Sequence, residues 1–419
     1  SFFLSSAFLL PSPSHPTHTH IRSVREQSAA ASPRTSEGSW QGELKRQTRL
    51  SISLLSPRLR FDLASSSSPA SLPLLLPSRR PSPAMAAASE EAIKQFSVLM
   101  EQLEEPLKTT FQNVHQGYPR GTLLRFLKAR EWNVPKAYKM LMDCLNWRLQ
   151  NEIDSVLAKP ILPADLYRSI RDTLLVGLTG YSKQGQPVYA FGVGLSTFDR
   201  ASVNYYLQSH IQMNEYRDRV VLPGASEMSG KQINTCLKVM DMTGLKLSAL
   251  NQIKMLSTIT AVDDLNYPEK TETYYIVNAP YVFSACWKVV KPLLQERTKK
   301  KIKVLYGPGR DELLKVMDYA SLPHFCKREG SGSGSSSDEV DCYSYDHPFH
   351  QELYNYVKQQ ALRNQDSVGP AKQGSMHVRV PTPDLEEAKI METIQSELHN
   401  LKGGDGISRS FSRITIEGP

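Results

Sequence analysis

The sequence predicts an α/β protein: a helical N-terminal lobe, then a mainly parallel sheet with flanking helices. Three observations carry that prediction. Residues 91 to 157 contain apolar positions at helical spacing, with polar residues between them. Beyond residue 170, short runs rich in β-branched and aromatic residues alternate with helical runs, the pattern of strand-helix-strand units. No stretch approaches 18 consecutive apolar residues, so no segment is expected to span a bilayer.

In the lobe, Leu123, Leu124, Phe126 and Leu127 form the apolar face of TLLRFLKAREW, with Arg125, Lys128 and Arg130 interleaved. A second helix, VPKAYKMLMDCLNWRLQNEI, starts with Pro135 near its first turn. DTLLVGLTG and QPVYAFGVG, separated by the turn-rich YSKQGQ, predict a strand pair. A long, polar-faced helix is expected over about residues 199 to 221. Then follow the strand TCLKVMDMTG, a helix opening at Ser248 as N-cap, the strand ETYYIVNA, a helix after Asn278, Ala279 and Pro280, and the strand KKIKVLYG. Such units imply parallel strands joined by right-handed crossovers. RDELLKVMD closes the domain as a helix.

Composition sets the boundaries. Residues 1–84 are a Ser, Pro, Leu and Arg-rich segment without periodicity and without Met before Met85. Translated leader sequence is the expectation, with a transit peptide as rival. This segment holds ten Lys or Arg and four Asp or Glu, a net +6 of the chain's +8, so the basic balance belongs to it and not to a nucleic-acid-binding face. The remaining divisions are a helical lobe at 85–160, the sheet domain at 161–328, a Gly/Ser linker at 329–345 and a C-terminal tail at 346–419. In the tail, Phe349, Leu353, Tyr356 and Val357 form an amphipathic segment expected to pack back on the domain, and the rest reads as mostly disordered. Met391, Ile394, Leu398 and Leu401 follow 3-4-3 spacing, which makes residues 384–402 either a surface helix or a surface for a protein partner.

Signatures of catalysis are missing. The chain has no HExxH, P-loop or GxSxG, and FGVGLSTF lacks the third glycine of a dinucleotide fingerprint. Cys144, Cys236, Cys286, Cys326 and Cys342 are odd in number and far apart, without CxxC, which speaks against disulfides and a zinc site. His347 and His350 fall in a polar segment without ligand partners, and Asp263 and Asp264 in a solvated helix end where a loop or capping role is expected. The expected activity is binding, with no catalytic residue, metal or cofactor.

The most unusual stretch is YYIVNAPYVFSACWKVVKPLL, residues 274 to 294. On a helical wheel, Ser284, Lys288, Lys291 and Pro292 share one arc of about 100°, while Phe283, Ala285, Cys286, Trp287, Val289, Val290, Leu293 and Leu294 occupy about 200°. One ordinary core needs about half that apolar width. Two readings fit: a helix buried on two sides, or one with protein on one side and lipid on the other.

GTLLRFLKAREWNVPKAYKML, CLKVMDMTGLKLSAL and NYPEKTETYYIVNAPYVFSACWKVVKPLLQERTKKKIKVLYG together resemble the CRAL-TRIO lipid-transfer family, the group of the yeast secretory phosphatidylinositol/phosphatidylcholine transfer protein. The resemblance covers about residues 92 to 328, and its details are those of plant members. It implies a CRAL-TRIO lipid-binding domain whose gate helix covers an internal apolar cavity holding one phospholipid. Pro280, Tyr281, Phe283, Cys286, Trp287, Val290, Leu293 and Leu294 would form the gate and cavity wall, and Asn278, Ala279 and Pro280 the hinge. It also implies that Arg130, Glu269 and Lys301 meet the lipid headgroup. Cys236 and Lys238 stand where phosphatidylinositol binders carry Ser and Thr, Glu131 where they carry a basic residue, and Leu178 and Asn214 where choline-caging tyrosines stand. From the residues alone, Arg130 and Glu269 also fit an interlobe ion pair, Lys301 a solvated basic run, and Cys236 a small core hydrophobe. The expected protein is a monomer that transfers or presents phosphatidylinositol or phosphatidylcholine, with phospholipid and the membrane surface as partners and no nucleic acid. It would be cytoplasmic and reversibly membrane-associated, or plastid-targeted if residues 1–84 are a transit peptide. The alternative is a membrane-recruited lipid-sensing scaffold that engages partners through its C-terminal helix.

Overall fold

Prolines and one asparagine fix the helix starts of the N-terminal lobe. Asn133 caps its helix by accepting from the Lys136 N–H at 2.9 Å, and Pro135 occupies the first turn, where a missing N–H costs nothing. The computed structural model describes residues 83–245, 253–281, 283–284, 287–288, 291, 296–327, 341–368 and 376–381. Its lobe consists of α1 (Pro83–Glu101), α2 (Leu107–His115), α3 (Pro119–Ala129) and α4 (Val134–Gln150). Phe96, Phe126, Leu127, Leu141 and Leu145 fill the space between them and are fully buried.

A short 3-10 turn (Ile153–Ala158) and α5 (Ala164–Thr173) lead into the sheet, formed by β1 (Val176–Tyr181), β2 (Pro187–Gly192), β3 (Cys236–Asp241), β4 (Thr271–Val277) and β5 (Ile302–Val304). Spatial order equals chain order; β1 and β2 pair antiparallel and the other pairs are parallel. The expected mainly parallel sheet is therefore present. Side chains alternate along β2: Val188 and Ala190 enter one core and Tyr189 the opposite one, so both faces are covered.

Between β2 and β3 lie α6 (Val203–Tyr216), one wide π turn (Arg217–Val221) and α7 (Leu222–Ser229). The expected polar-faced helix is here, but its polar residues are buried, not solvated. Gln208, Ser209, His210, Gln212, Asn214 and Glu215 all lie inside. Each has a partner: Gln208 and Gln212 donate to the Lys159 carbonyl, and Ser209 Oγ accepts from Arg171 at 2.6 Å. Hydropathy reads such a face as water-facing because it cannot register partners distant in sequence.

α8 (Ile253–Asn266) connects β3 to β4; its expected N-cap at Ser248 lies outside the described residues. α9 (Glu296–Lys301) directly precedes β5, and after β5 come α10 (Arg310–Leu314), α11 (His324–Lys327) and α12 (Pro348–Val368). Phe349, Leu353 and Val357 of α12 belong to the main core, with Tyr356 partly buried beside them. This amphipathic segment thus packs back on the domain as its spacing indicates. Met376 and Val378 also enter that core, Trp147 Nε1 donates to the Arg379 carbonyl at 2.6 Å, and the Arg379 N–H donates to Asn151 Oδ1 at 2.7 Å. Cys342 and Tyr343, inside the expected linker, are likewise buried. His350, expected in a polar segment, is a core histidine whose Nε2 meets the Val176 carbonyl at 2.8 Å. Residues 384–402 lie outside the described residues. No helix among the described residues is long and apolar enough to cross a membrane.

The two glycines of FGVGLSTF have packing reasons. A Cβ on Gly194 would lie 2.2 Å from the Thr243 carbonyl oxygen, and one on Gly192 would lie 2.9 Å from Leu175. Close approach of neighbouring chain, with no phosphate to cradle, accounts for both.

Candidate functional site

The basic residues after the 281–291 segment converge on one carboxylate. Lys301 Nζ lies 2.6 Å from Glu269 Oε2 and also donates to the Thr271 carbonyl at 3.1 Å. Arg297 reaches the other Glu269 oxygen at 3.5 Å, while its Nη2 donates to the Ala129 carbonyl at 2.9 Å at the end of α3. Glu269 itself has a left-handed backbone, φ 59°, which costs a non-glycine residue of order 1 kcal/mol and recurs at functional positions. Arg130 stands at the C-cap of α3, its guanidinium donating to the Ala129 carbonyl at 3.3 Å. Glu269 and Lys301 are therefore brought together. Arg297, which sequence reasoning missed, pairs with Glu269 from within the same domain and reaches the lobe through the Lys128 and Ala129 carbonyls, and Arg130 makes no ion pair with Glu269. Lys301 is held by this cluster and is not a free member of a solvated run.

Cys236 and Lys238, two apart on β3, point to the same face of the sheet. Cys236 is fully buried, and its Sγ lies 3.5 Å from the Lys270 carbonyl. A headgroup contact for Cys236 is corrected to a core position, because the first residue of β3 is packed beneath the backbone that enters β4. Lys238 instead lies with its ammonium 3.9 Å from Asp263 and over the rings of Phe191 and Tyr274, at 5.1 and 5.8 Å. Its head lines a cleft of about 240 Å³, mouth included, with Tyr189, His210, Asn214 and Arg217. Most of that space is open mouth, and the room inside is about that of one water molecule, too small in this conformation for acyl chains or an inositol-sized headgroup.

This cleft opens onto a buried polar network that the sequence did not reveal. Asp263, expected in solvent, accepts from His210 Nε2 at 2.6 Å and Asn214 Nδ2 at 3.3 Å. Burial works to raise its carboxyl; the His210 partner, then Lys238 and Arg217, outweigh that and bring it down to about 2. An ionised carboxylate only accepts, so the facing His210 Nε2 carries the proton. Next to it, Arg217 Nη1 donates to Asn214 Oδ1 at 2.6 Å and Nε to Asp218 Oδ1 at 2.7 Å. Asp218 also meets Lys270 at 3.0 Å. Burial pushes the Lys270 ammonium down to about 8 despite that carboxylate. Arg217 Nη2 and Tyr189 Oη, both lining the cleft, are buried without a hydrogen-bond partner. Together they offer unused donors to an acceptor-rich group, the chemistry of a phosphate or a polyol.

The segment after β4 begins at a pinned turn. Asn278 has φ 52°; its N–H donates to the Gly307 carbonyl at 2.6 Å and its Nδ2 to Asp241 Oδ1 at 2.9 Å. Asp241 Oδ1 also accepts from Thr243, so β3 and β4 share the anchor. From Tyr281 to Lys291 every described position is helical. Phe283 is 1% exposed and stacks on Trp287 with centroids 6.0 Å apart, whereas Ser284, Lys288 and Lys291 are exposed. That matches the polar arc read from the wheel. Tyr281, expected on the cavity wall, is 52% exposed and faces outward, because it occupies the first turn before the apolar arc begins. Pro280 and Ala279 are half-buried. Cys286, Val290, Leu293 and Leu294 lie outside the described residues.

Residues 171–327 match the family model of the CRAL/TRIO domain, and residues 92–143 that of the CRAL/TRIO N-terminal domain. The chain is a CRAL-TRIO protein. Its CRAL-TRIO region is similar to the phosphatidylinositol/phosphatidylcholine transfer proteins SFH9 and SFH12 of Arabidopsis thaliana, 29% identical to each over 50% and 61% of this chain. Those matches span 38% and 45% of the two relatives, so the chain covers less than half their length. The SEC14 cytosolic factor of Eremothecium gossypii is 27% identical over 59% of this chain and 80% of its own. A crystal structure of Sfh5 aligns with a TM-score of 0.42 at 16% identity, covering 66% of this chain and 98% of that one.

Proposed function

We propose that this CRAL-TRIO protein binds one phospholipid, phosphatidylinositol or phosphatidylcholine, and transfers or presents it between membranes without a catalytic step. Similarity to proteins described as phosphatidylinositol/phosphatidylcholine transfer proteins carries the reading. Two acyl chains hold roughly 30 methylenes at about 0.8 kcal/mol each, so extraction costs on the order of 20 kcal/mol unless an equally dry enclosure is supplied. The 280–295 segment is the movable wall of that enclosure in this reading. Its apolar side, with Phe283 and Trp287, faces the interior when shut and the bilayer interface when open, and Lys288 and Lys291 stay wet and meet lipid phosphates. Asn278, tied to Asp241 and Gly307, is the fixed end of the hinge. Glu269, Lys301 and Arg130 remain the proposed headgroup contacts, with Lys238 and Arg217 as further donors.

The test joins two measurements on the purified full chain. Native mass spectrometry of protein from cells is expected to show one phospholipid per chain, and labelled lipid is expected to move from donor to acceptor vesicles in its presence. Neither a bound lipid nor transfer above the protein-free rate would overturn the proposal.

A further inference from the structure

His324 lies in α11, where the CRAL-TRIO region ends, and Cys342 follows it 18 residues later. The fold brings the two side chains together. Cys342 Sγ lies 3.5 Å from His324 Nδ1, and Asp341 Oδ1 lies 3.4 Å from the same nitrogen. All three donor atoms fall within 4.8 Å of one another. Around a tetrahedral zinc ion, with Zn–S near 2.3 Å and Zn–N or Zn–O near 2.0–2.2 Å, neighbouring ligand atoms are about 3.3–3.6 Å apart. Two of the observed spacings are already of that size, and the third can close by rotation of Asp341, whose side chain is 53% exposed.

We propose that His324, Asp341 and Cys342 form a three-ligand site for a zinc-class divalent cation, with water as the fourth ligand. A soft thiolate and a borderline imidazole beside one hard carboxylate favour Zn²⁺ over Ca²⁺ and Mg²⁺, which take all-oxygen shells. The donors stand on packed supports. A Cβ on Gly177 would lie 1.9 Å from the Cys342 carbonyl oxygen, so β1 holds that backbone closely. The His324 ring meets the ring of Tyr343 edge-on at 5.1 Å, and Tyr343 stacks on Phe325 at 6.0 Å. Ligands immobilised in this way lose little entropy on binding metal. Binding releases the Cys342 thiol proton to solvent as the metal–sulfur bond forms. The ion would clasp the end of the CRAL-TRIO region to the segment that leads into α12. Separation in sequence hid this set, since the argument against zinc rested on the absence of CxxC.

A thiol–imidazole hydrogen bond gives the same 3.5 Å without metal, and the experiment separates the two. Co²⁺ titrated into the reduced full chain is expected to give one equivalent with thiolate-to-cobalt charge-transfer absorption, displaced by Zn²⁺. His15, His18 and His20 contribute no sulfur and do not give that band. Cys342→Ser should abolish it, and Asp341→Asn and His324→Gln should each weaken binding by at least about tenfold. Failure of the wild-type chain to develop the band, or its persistence in Cys342→Ser, overturns the proposal. Should Cys342→Ser not fold, the other two variants decide: unchanged affinity in both overturns it, and weakening in both supports it.

Discussion

Arg148 Nη1 and Nη2 hold the two carboxylate oxygens of Glu215 at 2.8 and 3.0 Å, and both side chains are buried. This fork joins α4 of the N-terminal lobe to α6 of the sheet domain. Arg219 and the Tyr267 hydroxyl complete the Glu215 shell, each at 2.8 Å, and Asp154 accepts from the same guanidinium at 3.0 Å. Removing one partner leaves a charge in the interior. Arg148→Met or Glu215→Leu is expected to cost about 3–5 kcal/mol in chemical denaturation, and the double substitution much less than the sum. Additive losses would show that the fork carries no coupling.

Acid should weaken the protein through the same interior. Burial raises the Glu215 carboxyl, but Arg148 and then Arg219 bring it down to about 2 from an ordinary 4.5. Asp263 sits at about 2 against 3.8. Both folded values lie below the unfolded ones, so the unfolded chain binds more protons across that interval. Their stabilisation is complete above about pH 5 and is lost as pH falls toward 2. Denaturant midpoints measured from pH 6 to pH 3 are expected to decline, and Asp263→Asn should flatten the slope. A pH-independent midpoint over this range contradicts the assignment.

Lys288 and Lys291 are exposed on the proposed gate. Each basic residue near an anionic surface is worth about 1 kcal/mol. Lys288→Ala with Lys291→Ala should therefore weaken binding to phosphatidylserine-containing vesicles by roughly thirtyfold at low salt, with little change in melting temperature. Equal affinity of variant and wild type would remove these lysines from the membrane-facing side.

The Glu269 and Lys301 pair separates headgroup recognition from general lipid uptake. Glu269→Ala with Lys301→Ala is predicted to reduce phosphatidylinositol transfer while phosphatidylcholine transfer is kept. Equal loss for both lipids would instead mean damage to the interface that Arg297 makes with α3.

Truncations should divide the C-terminal tail at residue 381. Ending the chain there retains α12 and the Met376 and Val378 contacts, so thermal stability and lipid transfer are expected to persist. Ending it at residue 345 exposes the core faces beneath Phe349, Leu353 and Val357, and a cooperative melt should be lost or greatly lowered. Loss of lipid transfer in the chain ending at residue 381 would favour the scaffold alternative, which relies on residues 384–402.

Local pattern settled much of this protein. The strand-like QPVYAFGVG after the turn-rich YSKQGQ placed β2, and Pro135 near the first turn placed the start of α4. The wheel of residues 281 to 291 separated Phe283 from Ser284, Lys288 and Lys291, because burial of a short helix follows its own periodicity. The family resemblance gave the CRAL-TRIO relationship and singled out Glu269 and Lys301, which the structure pairs. Only the tertiary structure decided that the polar face of α6 is interior, that Asp263 pairs with His210 across 53 residues, and that Glu269 pairs with Arg297 and not with Arg130. It also chose the core reading of Cys236 over the headgroup one and brought His324 to Cys342. The physical reason is common to all of these. A polar side chain is stable in the interior only when a partner satisfies it, and that partner can come from any distance along the chain. Hydropathy and spacing record the residue; the fold alone supplies the partner.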